Sequence, residues 1–103
     1  MSIIAVYVTH SSEEEAKKIW NLLLEKKIIA CYNLLKINSF YWWNNSITND
    51  NEVVSLLKTK KDNWELIKDE IKKIHPYKIP CIMKFEVDAN EDYEEWVERE
   101  TIY

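Results

Sequence analysis

The sequence of 103 residues contains no glycine, and this absence excludes several common ligand sites. Dinucleotide-binding turns, phosphate-binding loops, hydrolase nucleophile elbows and EF-hands all use glycine where the backbone turns tightly or approaches a ligand. We therefore expect neither a nucleotide nor another organic cofactor. Other residues must fill any backbone position with φ > 0, and asparagine is the residue that tolerates this region best after glycine.

Positive charge, long apolar runs and cysteine are also scarce. The net charge of −4, with Arg99 as the only arginine, argues against a nucleic-acid partner. No apolar run approaches the roughly 18–20 residues that span a bilayer, so we expect no membrane segment. The first residues lack the features of a secretory signal. A cytoplasmic location follows as an expectation, with Cys31 and Cys81 as reduced thiols.

Hydrophobic and aromatic residues are plentiful, at 47% and 13% of the chain. The length fits one small domain spanning residues 1–103. A domain of this size has little interior in which to bury its five tryptophans. We therefore expect part of the aromatic surface to contact another chain.

The spacing of apolar residues predicts strands and helices in the order β-α-β-β-α-β, followed by a short C-terminal helix over 91–100. The predicted strands are 3–9, one long or bent strand within 28–47, 52–59 and 82–87, with turn residues at 44–46 and 48–51. Ser12 and Glu15 form a capping box for the first helix, and Asp62 is the predicted N-cap of the second. This order is typical of a ferredoxin-like α+β sandwich in which both helices cover one face of the sheet. The opposite face of the sheet is also apolar and would be exposed in a monomer, so we expect an oligomer.

Four motifs resemble those of the CutA family of divalent-cation tolerance proteins. They are 29–35 (IACYNLL, against A-A-C-V-N), 39–43 (SFYWW, against S-I-Y-W-W), 57–59 (LKT, against I-K-T) and 75–80 (HPYKIP, against H-P-Y-E-V-P). They follow the family's order and cover nearly the whole chain. The resemblance implies a PII-like homotrimer of ferredoxin-like protomers, a role in tolerance to copper and other divalent ions, and no established catalytic reaction.

The sequence departs from the family pattern at three places. Lys36 stands alone where the family has Pro-Gly, so we expect a loop one residue shorter there. The pair Asn44-Asn45 replaces lysine-glycine at a turn, where asparagine fits φ > 0. Lys78 and Cys81 replace the acidic residues of H-P-Y-E-x-P-E. A cation and a thiol thus stand where carboxylates would support metal binding.

Cys31, His75 and Cys81 are the candidate metal ligands, because thiolate and imidazole suit copper and zinc. There is no C-x-x-C or H-x-x-x-H pair to form a local chelate, and a lone cysteine in an apolar strand is often a core residue. In the predicted topology Cys31 and Cys81 belong to opposite edges of the sheet, so only packing between subunits would unite the three. His10 is a weaker candidate ligand, and its position directly after the first strand fits a helix-entry residue better.

Tyr41, Trp42 and Trp43 form either a platform for a ligand or a contact between subunits, and we favour the contact. Consecutive strand residues point to alternate faces, so one core cannot bury all three. We expect this strand to extend beyond its own sheet, to pair with the edge strand of a neighbouring subunit and so to form the homotrimer. Lys58 and Tyr77, with Lys78, form either a small anion pocket or a solvated strand end and turn.

Two functions remain open from the sequence. The first is a non-enzymatic trimer that binds copper or another divalent ion in metal homeostasis. The second is a PII-like interaction trimer that binds a small molecule or protein in clefts between subunits. An acylphosphatase is disfavoured, because that chemistry needs an arginine and a phosphate-cradling loop. An RNA-recognition domain is disfavoured because the third strand lacks the required motif.

Overall fold

The computed structural model describes residues 2–102, in which strands and helices follow the predicted order. The strands are β1 (Ile3–His10), β2 (Cys31–Trp43), β3 (Ser46–Lys60) and β4 (Ile82–Val87). The helices are α1 (Glu13–Glu25), α2 (Trp64–Ile74) and α3 (Glu91–Glu100), with a 3₁₀ turn at Lys61–Asn63. None of the helices in this range has both the length and the apolar character that crossing a membrane requires.

The four strands form one sheet in the order β2-β3-β1-β4, and every neighbouring pair is antiparallel. β1 lies in the centre, where it pairs with both β3 and β4. This is the predicted ferredoxin-like α+β arrangement. The outer edges of β2 and β4 have no partner strand among residues 2–102.

The main core lies between one face of the sheet and helices α1 and α2. Residues of β1 with even numbers point into it, because side chains alternate along a strand. The fully buried members that share this core are Ile4, Val6, Val8, Ala16, Trp20, Leu23, Leu57, Ile67 and Ile71. Cys31 points to the opposite face, where its Sγ lies 3.4 Å from the hydroxyl of Tyr93 on α3.

Helix α1 begins at the predicted cap and ends at a backbone position that usually requires glycine. The hydroxyl of Ser12 accepts a hydrogen bond from the amide of Glu15 at 3.1 Å, which confirms the cap. At the other end, Lys27 has φ = 59°. Its amide donates to the carbonyl of Leu24, and that of Ile28 donates to Leu23. This is the Schellman pattern, with lysine in place of glycine.

The start of α2 differs from the prediction. Asp62 lies inside the 3₁₀ turn and is not the N-cap, a position that Asn63 occupies without a side-chain cap. The amide nitrogen of the Asn63 side chain donates instead to the carbonyl of Ile28 and to the hydroxyl of Thr59, both at 3.1 Å. A buried tertiary contact therefore takes the side chain that would otherwise cap the helix.

β2 and β3 form a long hairpin arm, which we define as residues 36–53. Its tip is Asn44-Asn45, with φ of 49° and 63°, as the sequence predicts. The expected shorter loop at Lys36 is wrong, because Lys36 lies within β2 opposite Val53. The predicted turn at 48–51 is also wrong. These residues pair with 38–41 and continue β3, since cross-strand hydrogen bonds satisfy their backbone.

Candidate metal centre

His10 is the last residue of β1 and lies completely inside the protein. The alternation of β1 directs its side chain into the core, where the indole of Trp20 meets it edge-on at 5.2 Å between ring centroids. The ring of His75 stacks on its other side, at 4.8 Å and 22° between planes. Two histidines thus share one buried space between the end of β1 and the end of α2.

Both ring nitrogens of His75 have backbone partners. Nε2 lies 2.8 Å from the carbonyl oxygen of Thr9, to which it donates, and Nδ1 accepts from the amide of Tyr77 at 3.2 Å. This pattern assigns the proton of neutral His75 to Nε2. The ring is therefore a fixed connection between β1 and the turn that follows α2.

The neighbours of His10 favour one tautomer. The hydroxyl of Ser55 donates to the carbonyl of Val8 at 3.2 Å, so its oxygen is left to accept from Nε2 of His10, also at 3.2 Å. Burial, reinforced by His75, lowers the pKa of His10 from 6.5 to about 4, although Glu15 opposes this shift. The ring is therefore neutral at pH 7, and with its proton on Nε2 its Nδ1 carries a lone pair.

This lone pair faces a carboxylate oxygen. Oε1 of Glu15 lies 3.4 Å from Nδ1 of His10, and neither buried atom has any other hydrogen-bond partner. The other carboxylate oxygen accepts from the hydroxyl of Ser11 at 2.7 Å, which orients the group. Two buried acceptors in contact require a proton or a cation between them. Ligand atoms of His10, Glu15 and His75 all lie within 4.8 Å of one another.

The structure brings together a different set from the one that the sequence indicates. Among residues 2–102, His75 joins His10 and Glu15 in the one group of three metal-binding side chains, which includes neither cysteine. Cys31 contacts Tyr93, and Cys81 lies beyond Pro80, where burial raises the pKa of its thiol. Sequence reasoning missed Glu15 as a candidate because its position predicts a helix cap, and it ranked His10 below the three predicted ligands because its position fits a helix-entry residue.

A concave region, which we call the arm groove, lies between the hairpin arm and the turn after α2. Its volume is about 1090 Å³, and it is lined by the predicted Tyr41, Trp42, Trp43 and Tyr77 together with Lys78 and Cys81. The hydroxyl of Tyr77 donates to Glu52 at 2.6 Å, and burial with this bond raises its pKa. Lys58 is not in the lining and donates to Asn33 on β2.

Comparison with known proteins gives consistent matches over nearly the whole chain. The family model of the CutA1 divalent ion tolerance protein matches residues 4–100. The divalent-cation tolerance protein CutA of Pyrococcus horikoshii is 45% identical over 100 residues, which are 96% of this chain and 98% of that protein.

Solved structures agree with these sequence matches. Crystalline CutA1 from Pyrococcus horikoshii superposes with a TM-score of 0.93 at 44% identity and covers 97% of this chain and 99% of its own. A structure from Archaeoglobus fulgidus, described as a periplasmic divalent cation tolerance protein, gives 0.92 at 33% identity, covering 95% and 97%.

Proposed function

This chain belongs to the CutA1 divalent ion tolerance family, and on that premise we propose that it is a non-enzymatic homotrimer that binds a divalent metal ion in metal homeostasis. We place the ion at the group formed by His10, Glu15 and His75. Imidazole nitrogen and carboxylate oxygen suit copper and zinc ions, which are the ions that the proposal favours. No reaction is assigned, because the family description names ion tolerance and no catalytic activity.

One observation carries the metal proposal: Nδ1 of His10 meets Oε1 of Glu15 at 3.4 Å in a buried space where neither atom has another partner. Leaving buried acceptors unpaired costs about 1–3 kcal/mol, and a bound cation removes this cost for both atoms. The side chain of Glu15 is 20% exposed, so the group lies close to the protein surface.

Calorimetric titration with Cu²⁺ and Zn²⁺ tests this site. We expect binding to the wild-type protein to weaken at least ~10-fold in His10→Gln, because a ligand is lost. Cys31→Ser with Cys81→Ser is the control, and it also tests the predicted set of Cys31, His75 and Cys81, which would meet only across subunits. Binding that is absent from the wild type, or that His10→Gln leaves unchanged, would contradict the placement.

The trimer is supported by the apolar surface of the hairpin arm. Phe40, Trp42 and Ile47 lie on one side of the arm and are 70%, 72% and 68% exposed. The unpaired edges of β2 and β4 offer backbone groups to which another strand can bond. A second copy of the chain would cover both features, since tyrosine and tryptophan are favoured at interfaces.

Light scattering tests the assembly. The wild-type chain should have three times the protomer mass, and replacing both Trp42 and Trp43 by alanine should reduce this mass to that of the protomer. Leu22→Ala is a matched control, because Leu22 is an exposed apolar residue of α1, away from the arm. An arm variant that stays trimeric would remove the assigned role of the two tryptophans.

The arm groove favours a second candidate function, a PII-like interaction trimer that binds a small molecule or partner between subunits. Its volume of about 1090 Å³ and its aromatic lining are typical of ligand sites. Titration with nucleotides, followed by tryptophan fluorescence and calorimetry, tests this function. A saturable signal that Tyr77→Phe changes and His10→Gln does not would favour the groove over the metal centre.

The proposed location is the cytoplasm, which is supported by two free cysteines, Cys31 and Cys81. Thiols persist in a reducing compartment. Cell fractionation with an antibody to the native chain tests this location. Recovery in a periplasmic fraction, which is the location named for the Archaeoglobus fulgidus protein, would contradict it.

A further inference from the structure

We infer that the arm groove binds an aliphatic diamine or polyamine, whose ammonium groups contact the carboxylates of Asp50 and Glu52 while its methylene chain lies against aromatic rings. This inference rests on the second candidate function, the interaction trimer, and names the chemical class of its ligand. It does not depend on the metal centre, which lies on the face of the sheet that α1 and α2 cover.

The two carboxylates lie along one face of the hairpin arm. Asp50 and Glu52 are two residues apart on β3, so their side chains point to the same side. Both line the groove, as do Tyr41 and Trp43 from the same face of β2. A strand rise of about 3.3–3.4 Å per residue separates the two Cα atoms by about 7 Å. Two ammonium groups joined by a short methylene chain match this spacing.

Neither carboxylate has a cation beside it. Within residues 2–102, no side-chain nitrogen forms an ion pair with Asp50 or Glu52. Of the described residues that line the groove, Lys78 is the one lysine, and it is exposed. The negative charge of Glu52 also extends to Cys81, where it adds to the effect of burial in raising the pKa of the thiol. A surface of this charge attracts cations.

Two tyrosines orient the carboxylates and leave one oxygen of each free. The hydroxyl of Tyr41 donates to Oδ2 of Asp50, and that of Tyr77 donates to Oε2 of Glu52 at 2.6 Å. Oδ1 of Asp50 and Oε1 of Glu52 accept no hydrogen bond from the described part of the chain. Each can therefore accept from an ammonium group. The aromatic rings beside them can cover the methylene chain and attract the cation through their π faces.

Other classes of ligand fit the groove less well. A nucleotide or another anion would face two carboxylates. The predicted anion pocket also lacks its donors, because Lys58 lies outside the groove and the hydroxyl of Tyr77 is bonded to Glu52. A divalent metal ion lacks ligands there, because no third metal-binding side chain of the described residues joins the two carboxylates.

Calorimetric titration of the assembled wild-type protein with putrescine and with butylamine tests the inference. The two probes have the same carbon chain and differ by one ammonium group. We expect putrescine to bind saturably and at least ~10-fold more tightly, because its second ammonium gains a charged hydrogen bond. Equal affinities would refute contact with both carboxylates. Binding of ATP but not of putrescine would overturn the inference and leave the groove as a ligand site. Binding of neither would overturn the second candidate function.

Matched substitutions locate the site. Asp50→Asn and Glu52→Gln should each weaken putrescine binding at least ~10-fold, although the amide oxygen can still accept from the tyrosine. Asp69→Asn, at an exposed position of α2, should leave binding unchanged. Lys78→Gln should strengthen it ~2–5-fold by removing a competing cation, and the exposed Lys72→Gln should not. Equal effects of Asp50→Asn and Asp69→Asn would show general attraction to the acidic surface and refute the site.

Discussion

Replacing Glu15 by glutamine should stabilise the metal-free protein, although it removes a charge from the favourable end of α1. With the tautomer assigned to His10, the wild type holds two buried acceptors 3.4 Å apart. A glutamine can direct its amide N–H to Nδ1 of His10 while its carbonyl oxygen still accepts from Ser11. The substitution therefore changes an acceptor–acceptor contact into a hydrogen bond.

The magnitude follows from two opposing terms. Relieving an unsatisfied buried acceptor gains about 1–3 kcal/mol. Losing a negative charge in the first turn of a helix costs about 0.3–1 kcal/mol. We expect a net gain of about 1 kcal/mol, which for a domain of this size raises Tm by roughly 4–8 °C.

Urea unfolding at pH 7 in the presence of a chelator measures this difference, at one fixed protomer concentration because the proposed trimer makes stability depend on concentration. Glu14→Gln is the control, since it loses a charge in the same turn without a contact to His10 and should be slightly destabilised. If Glu15→Gln is less stable than Glu14→Gln, a proton already joins His10 and Glu15 in the wild type. The tautomer that we assign to His10 would then be wrong.

Three smaller predictions concern the backbone and one half-buried phenol. Lys27→Gly should raise the unfolding free energy by about 1 kcal/mol, because Lys27 has φ = 59°. Lys26→Gly, at φ = −78°, should lower it. If urea unfolding shows Lys26→Gly to be the more stable of the two variants, the reasoning is wrong. Asn45→Ala should destabilise the hairpin by about 1 kcal/mol, and Asn45→Gly should not, because Asn45 has φ = 63°. Equal urea midpoints for the two variants would refute this prediction. Burial, with a hydrogen bond to Cys31, raises the pKa of Tyr93 from 10.0 to about 12. As the pH rises above 10, the unfolded chain therefore loses the phenol proton of Tyr93 before the folded chain does, and the stability of the fold decreases. Tyr93→Phe should reduce the slope of the unfolding free energy against pH in this range. An unchanged slope would show that Tyr93 does not cause the decrease.

Local patterns in the sequence predict much of the fold. Apolar periodicities of strand and helix establish the order of elements, and Ser12 has the side chain that a helix start requires. The hairpin tip at Asn44-Asn45 is predicted because asparagine accepts φ > 0 in the absence of glycine. The left-handed position at Lys27 could not be predicted, because no feature of lysine indicates it.

The candidate metal centre was decided by tertiary structure. The sequence by itself determined that His10 follows an apolar strand and that Glu15 lies in the first turn of a helix, which are local facts. Only the packing of α1 and α2 on the sheet placed Glu15 and His75 beside His10, and only the pairing of β1 with β3 placed Ser55 at its Nε2. The position of a proton in such a group depends on all the side chains and backbone groups around it. The sequence alone does not show which of these groups lie next to one another. Residue types and periodicity therefore determined the elements, while burial and contact between distant segments decided which side chains can bind an ion.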